Sequence, residues 1–269
     1  MKKRIVLAFA AILPFAIAYA ANQSKTVTPA SELVPTEAQG LTGDLVYQFL
    51  SGSNYAYRSL PLDDALSAVI YDNYLESLDG NKLFFLASDI AGFDQYKTGM
   101  DDAIKNRQLD PPFDIFKTYL TRVDQRVAYA RALLKQDFDF TRDEQYLYDR
   151  EDAPWAASTA ELDDIWRKSV KNDVLRLKLA GRPMPEIRDT LDKRYALLGE
   201  RVHQLRGDEV FENFMNAYGS AIDPHTSYMS PRSAENFNMS MRLSLEGVGA
   251  VLQVQDEFVV FRTIMPGSP

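Results

Sequence analysis

Three features of this chain have residue types and spacing that could do chemistry: a pair of histidines, a run Asp223-Pro224-His225-Thr226-Ser227-Tyr228, and a segment carrying two glycines, Ser244-Leu245-Glu246-Gly247-Val248-Gly249-Ala250-Val251-Leu252. Asp, His and Ser close together invite comparison with a hydrolytic triad. Triad members, however, meet in space and usually lie far apart in sequence. Pro224 stiffens a tight turn here, and Asp223 is placed to accept backbone N–H bonds inside it, so the run is read as a turn. His203 falls in a helical pattern beside Arg201 and Arg206 and is read as a surface or boundary residue. No His-x-x-x-His pair occurs, so a two-histidine zinc site on a helix is not supported. Cysteine is absent, which removes thiol catalysis, Cys-ligated zinc and disulfides. Phosphate-loop and dinucleotide glycine fingerprints and the Gly-x-Ser-x-Gly elbow are missing as well. No cofactor and no metal are expected, and no pair of carboxylates is singled out for glycoside hydrolysis.

The glycine segment is the more specific signal. Gly247 and Gly249 let a loop turn so that successive N–H groups converge on one concavity, a nest suited to a carboxylate. Val248, Gly249 and Ala250 would donate those N–H groups. The strand through Leu252 would then offer a free edge to which an extended peptide can add, with apolar pockets for alternate side chains. A PDZ groove holds a C-terminal peptide in this way. Gly247, Val248, Gly249, Ala250 and Leu252 are therefore the candidate substrate-binding residues.

The elements that must position this loop are mostly helical. Leu62 to Leu78 carries an apolar stripe with a 3.6 period through Leu66, Val69, Ile70 and Tyr74, and Asp79-Gly80-Asn81 ends it. Ser88 or Asp89 is expected to cap a shorter helix. Pro111-Pro112 precedes a long one with Phe113, Phe116, Leu120, Val123, Val127, Ala130 and Leu134 on one face. Ser158 and Glu161 form the pattern of a capping box, followed by Leu162, Trp166, Val170, Val174 and Leu179 up to Gly181. Pro185 opens a helix through Leu191, Tyr195 and Val202, stopped by Gly207. Asp208 starts a last one, with Val210, Phe211, Phe214, Met215 and Tyr218 inward. These aromatic stripes are read as core, not as a ligand box. No repeat of fixed period supports a solenoid. After about residue 240 the pattern turns to strand formers: one run to Val254, a turn at Asp256-Glu257, and a second run from Phe258 to Ile264. Two strands alone are marginal in water, so the expected β-domain continues beyond Pro269.

Composition fits a soluble, packed protein, with 46% hydrophobic and 25% charged residues. The net charge of -8 and the pI of about 4.9 disfavour binding to nucleic-acid phosphates or anionic lipids. Lys2, Lys3 and Arg4, the apolar run Ile5 to Ile17 and Ala18-Tyr19-Ala20 have the form of a secretory signal peptide cut after Ala20. The apolar run is short for a bilayer span, so no integral span is expected after cleavage, and the location would be periplasmic. Residues 21–35 read as a flexible N-terminus.

At Leu86-Ala87-Ser88-Asp89, Asp152-Ala153-Pro154-Trp155, Ile222 to Pro231 and Arg242 to Leu252, the chain resembles the C-terminal processing peptidase family in its tail-specific branch. The resemblance covers essentially the whole chain after residue 20. It implies a mainly α fold: a multi-helix N-terminal domain over 36–240, then the first strands of a PDZ domain over 241–269. It also implies a parent serine endopeptidase that degrades or processes proteins after recognising an unstructured, apolar C-terminus. The Ser/Lys dyad of the family has no matching positions in these residues, so the chain alone is expected to be inactive. The resemblance implies envelope proteins as substrates and, in some members, a lipoprotein adaptor as partner. An exported, non-catalytic helical scaffold or adaptor would account equally well for everything up to residue 240.

Overall fold

The computed structural model describes residues 33–52, 58, 60–242, 250–255 and 258–264. They fall into two compact units, one ending at Tyr228 and one beginning at Met229. The expected signal peptide and the expected turn at Asp256-Glu257 lie outside the described residues.

Helix α1, Glu37–Leu50, opens on a reciprocal cap. Thr36 Oγ1 accepts the Gln39 N–H at 3.2 Å, and Gln39 Oε1 accepts the Thr36 N–H at 2.9 Å. Two otherwise orphan donors are thereby satisfied. Leu33, just upstream, is 1% exposed and belongs to the main core. The flexible N-terminus read from sequence therefore does not extend to residue 35. A single apolar side chain in the core ties this stretch down, and one residue leaves no periodic signal.

Helix α2, Asp64–Asp79, is capped by Asp63, whose carboxylate accepts the Leu66 N–H at 3.0 Å. Its buried face runs through Leu66, Ile70, Tyr71, Tyr74 and Leu75, while Val69, expected inward, is exposed. Helix α3, Ala87–Phe93, begins one residue before the expected cap. The Ala87 N–H donates to the Ala156 carbonyl, so a contact with a distant loop sets this start. Asp89 is the third helical residue. It reaches back to the Leu86 N–H at 2.9 Å and takes both a Nε and a terminal nitrogen bond from Arg122 at 2.8 Å.

Helix α4, Met100–Lys105, is short. Helix α5, Asp110–Leu133, takes Pro111 and Pro112 into its first turn, where a missing N–H costs nothing because those donors have no helical partner. Helix α6, Thr159–Leu179, has Ser158 as its cap. Glu161, however, accepts from Ala157, not from Ser158, so the expected box is only half formed. Leu179, expected inward, is 78% exposed in the last turn. Helix α7, Met184–His203, ends before Gly207. Gly207 is instead the first residue of α8, Gly207–Ile222. Glu209 holds that start by accepting the Arg206 N–H at 2.8 Å.

Two apolar clusters fill this unit. One joins α2, the first half of α5 and α8; Tyr74 meets Phe214 edge-on at 5.6 Å and donates its hydroxyl to the Pro112 carbonyl at 3.0 Å. The other joins the second half of α5 with α6 and α7 around Trp166 and Tyr195. Helix α5 serves both because its 24 residues run about 36 Å at 1.5 Å per residue. Phe84 bridges them, edge-on to Tyr119 at 5.4 Å and to Trp166 at 5.7 Å.

The second unit holds α9, Pro231–Arg242, and a hairpin of β1, Ala250–Gln255, antiparallel to β2, Phe258–Ile264. Helix α9 is an addition to the sequence reading, which placed the last helix at Asp208. Its Phe237 and Met241 lie one turn apart and are both exposed. The expected class stands: a helical N-terminal domain with a small two-stranded sheet at its C-terminal side. None of the described helices is long and apolar enough to cross a membrane.

Candidate functional site

The Asp223 run is a turn, built as its residue types dictate. Asp223 Oδ1 accepts the His225 N–H at 2.7 Å and lies 3.3 Å from His225 Nδ1, and the Thr226 N–H donates to the Asp223 carbonyl at 2.9 Å. The His225 ring is 92% exposed. After the turn the chain folds back along α8: the Tyr228 N–H donates to Asn216 Oδ1 at 2.7 Å, and its ring packs edge-on against Phe211 at 5.4 Å. Gly219 permits this, since a Cβ there would sit 3.0 Å from the Thr226 carbonyl oxygen. The motif is architectural. His225→Ala should therefore shift stability by less than about 0.5 kcal/mol, as exposed substitutions usually do. Thermal melts of the variant check this, and a loss of several degrees would assign the ring a hidden role. His203 is a boundary residue as expected, its Nε2 2.6 Å from Asp124 Oδ1.

Of the glycine segment, Gly247, Val248 and Gly249 lie outside the described residues. Ala250 opens β1 opposite Ile264, and Leu252 is opposite Phe261, with a register break between Val251 and Leu252. Among the described residues β1 pairs only with β2.

A polar cleft of about 650 Å³ that no motif announces lies beside the end of α2. Glu76, Gly80, Asn81 and Leu83 line it on that side, and the corner they form turns on Asp79, which is 3% exposed. Asp79 Oδ1 accepts the Leu83 N–H at 2.7 Å, and Oδ2 accepts those of Phe84 and Phe85 at 2.8 and 2.9 Å. Burial pushes the Asp79 carboxyl up to about 6, although these donors and the nearby Arg150 pull the other way. One wall is the connection between α5 and α6. Glu144 pins that connection to α6, accepting from Arg167 at 2.6 and 3.2 Å and from Lys171 at 2.5 Å. Those two cations hold the Glu144 carboxyl down to about 2. Tyr146 donates to Ser169 at 3.2 Å, and the Arg150 N–H to Asn81 Oδ1 at 3.3 Å. Tyr148 stands edge-on to Tyr146 and is 74% exposed. Asn172 and Arg176 of α6 and Arg194 of α7 form the opposite wall. Arg194 is engaged by Asp173 at 3.3 Å. The walls come from stretches far apart in sequence, each unremarkable alone.

Residues 46–232 match the family model described as the tail specific protease N-terminal domain. The chain is also 39% identical over 214 residues to a protein of Haemophilus influenzae named tail-specific protease. That alignment takes in 79% of this chain and 31% of the relative, so the chain spans about a third of the relative's length. The matched stretch contains α2 to α8 entire, the Asp223 turn and both walls of the cleft, and the chain accordingly belongs to the tail-specific protease N-terminal domain family.

Proposed function

We propose that the chain is the N-terminal portion of a periplasmic serine endopeptidase that selects proteins by an unstructured, apolar C-terminus and degrades or processes them. The family match across the helical domain carries this reading. The glycine segment that follows supports it: N–H groups of Val248, Gly249 and Ala250 would hold the terminal carboxylate. The peptide would extend along an edge of β1, with Leu252 among the substrate-binding residues and the peptide's alternate side chains in apolar pockets. The hairpin that follows Gly249 is what such a PDZ groove would need on that side. Residues 241–269 would begin the PDZ domain, and the Ser and Lys would come from a later protease domain, the Lys taking the Ser proton. The helical domain and partial groove alone would be inactive. The signal peptide, cut after Ala20, would deliver the enzyme to the periplasm. There envelope proteins are the substrates proposed, with a lipoprotein adaptor as partner.

The full-length gene product tests this with two versions of one substrate, ending in a free apolar carboxylate or in the amide. Cleavage should fall at least about tenfold on amidation, equivalent to about 1.4 kcal/mol. Equal rates would remove the carboxylate nest from the account.

A further inference from the structure

We infer that the polar cleft between the end of α2, the α5–α6 connection, the second half of α6 and Arg194 of α7 is a second binding site, one that holds the main chain of an unfolded polypeptide away from its C-terminus. The inference rests on the reading above that the parent acts on polypeptides. It places a substrate contact on the helical domain itself.

Size and lining argue for it. At about 650 Å³, the cleft lies within the roughly 300–1,000 Å³ range of ligand sites. Its lining is nearly devoid of aliphatic side chains, with Leu83 the exception, so an apolar small molecule would find little surface to bury. Tyr146, Tyr148, Asn81, Asn172, Ser169, Arg176 and Arg194 line it together with the carboxylates of Glu76, Asp149, Glu151 and Asp173. The Tyr, Asn, Ser and Arg types make adaptable contact with polypeptide at low entropy cost, the aromatic rings giving area and the amides giving both a donor and an acceptor. A peptide group presents one donor and one acceptor per residue, which matches the amide of Asn172; Asn81 Oδ1 already accepts the Arg150 N–H. Among the described residues, no side-chain hydrogen bond or ion pair occupies Asn172, Arg176 or Glu76, although most cations in this unit are paired. The Tyr148 ring, edge-on to Tyr146, is largely exposed. The walls need no rearrangement, because Glu144 and Tyr146 already fasten the connection to α6. Binding to a preorganised wall avoids the cost of ordering it.

Charge decides between a polypeptide and a glycan. Tyrosine and amide groups would serve either. A neutral sugar seated over Arg176 and Glu76 would leave two charges partly desolvated without partners, which is unfavourable. A polypeptide carrying both signs can pair them.

The test uses the chain as it stands and an unstructured peptide of mixed charge, fluorescently labelled and amidated at its C-terminus. Amidation removes the carboxylate nest from the measurement, so failure of that reading and failure of this one are separable. Anisotropy should show saturable binding, weakened at least about tenfold in the double variant Tyr148→Ala/Arg176→Ala. Tyr148 and Arg176 are exposed, so the melting temperature should be unchanged, and Asn172→Ala offers an independent second variant. Absence of binding to the parent chain would overturn the proposal. Equal affinity in all variants would do the same, as would binding of chitotetraose in place of the peptide.

Discussion

Asp79→Ala is expected to lower the melting temperature of the helical domain by about 6–20 °C at neutral pH. The side chain is a buried acceptor for three consecutive backbone donors, on Leu83, Phe84 and Phe85. Each buried donor left unsatisfied costs about 1–3 kcal/mol. Water entering the vacated space would recover part of that, leaving about 3–5 kcal/mol. In a domain of this size each kcal/mol corresponds to about 2–4 °C. Asp79→Asn should be nearly as damaging, because it keeps one acceptor and turns an NH2 toward groups that are themselves donors. The consequence extends beyond the corner. Residues 83–86 carry Phe84, which joins the two apolar clusters, and the Leu83 carbonyl that accepts from Trp166 Nε1 at 2.6 Å. A shift below about 3 °C would mean that packing alone holds this corner.

The same carboxyl should give stability an unusual pH dependence. Burial raises it from 3.8 to about 6. A carboxyl raised on folding contributes stability that is fully present below its unfolded value and is lost as pH rises through the folded one. The gap corresponds to about 3 kcal/mol. Glu144 and Asp164, lowered by paired cations, run the opposite way. Their contribution is present above the ordinary carboxylate range and disappears as pH falls through their lowered values. The two windows are separate: Asp79 acts between about 4 and 6, the paired carboxylates below that. The stability difference between wild type and Asp79→Asn should therefore widen as pH is lowered from 7.5 to 4.5, since only the wild type can take up this proton. Chemical denaturation at the two pH values measures it, and a constant difference would remove the burial argument.

Much of the helical architecture is legible because buried stripes recur every 3.6 residues. Ile70 and Tyr74, Phe113 to Ala130, Leu162 to Val174 and Phe211 to Tyr218 lie inward as their spacing requires. What escapes is information that is not periodic. Leu33 is a single buried residue. Helix α9 surrounds Phe237 and Met241 with Asn236, Asn238 and Ser240 and buries none of its residues, so no stripe announces it. The start of α3 is set by Ala156, about seventy residues away. Asp79 reads as part of a stop signal, and its acceptor role depends on the path of the chain through Phe85. The cleft is illegible for the same reason: Glu144 and Lys171 meet only because α5 ends where it does. The Asp223 turn itself, in contrast, is readable, since an aspartate before proline satisfies its own loop, whereas the return of Tyr228 onto Asn216 and Phe211 is not. Gly247 and Gly249 rest on sequence and family resemblance alone.

Gly219→Val is expected to release the segment after that turn and to cost about 3 kcal/mol, toward the upper end for overpacking. Gly219 is buried in the last turns of α8. An added Cβ would lie 3.0 Å from the Thr226 carbonyl oxygen and 3.3 Å from its Cγ2. Neither side can give way cheaply. Helix backbone holds the one, and the other is fastened by the Asp223 bonds on its near side and by Tyr228 on Asn216 and Phe211 on its far side. Alanine should cost less, because about 1 kcal/mol of helix propensity is returned; valine adds two methyl groups and returns less. The distinguishing readout is amide exchange at Tyr228, whose N–H donates to Asn216. Its protection should be lost in Gly219→Val while amides in α6 and α7 exchange as before. Retained protection at Tyr228 together with a full loss of stability would mean that α8 shifts as a body, and that the turn is carried by the helix and not fastened to it.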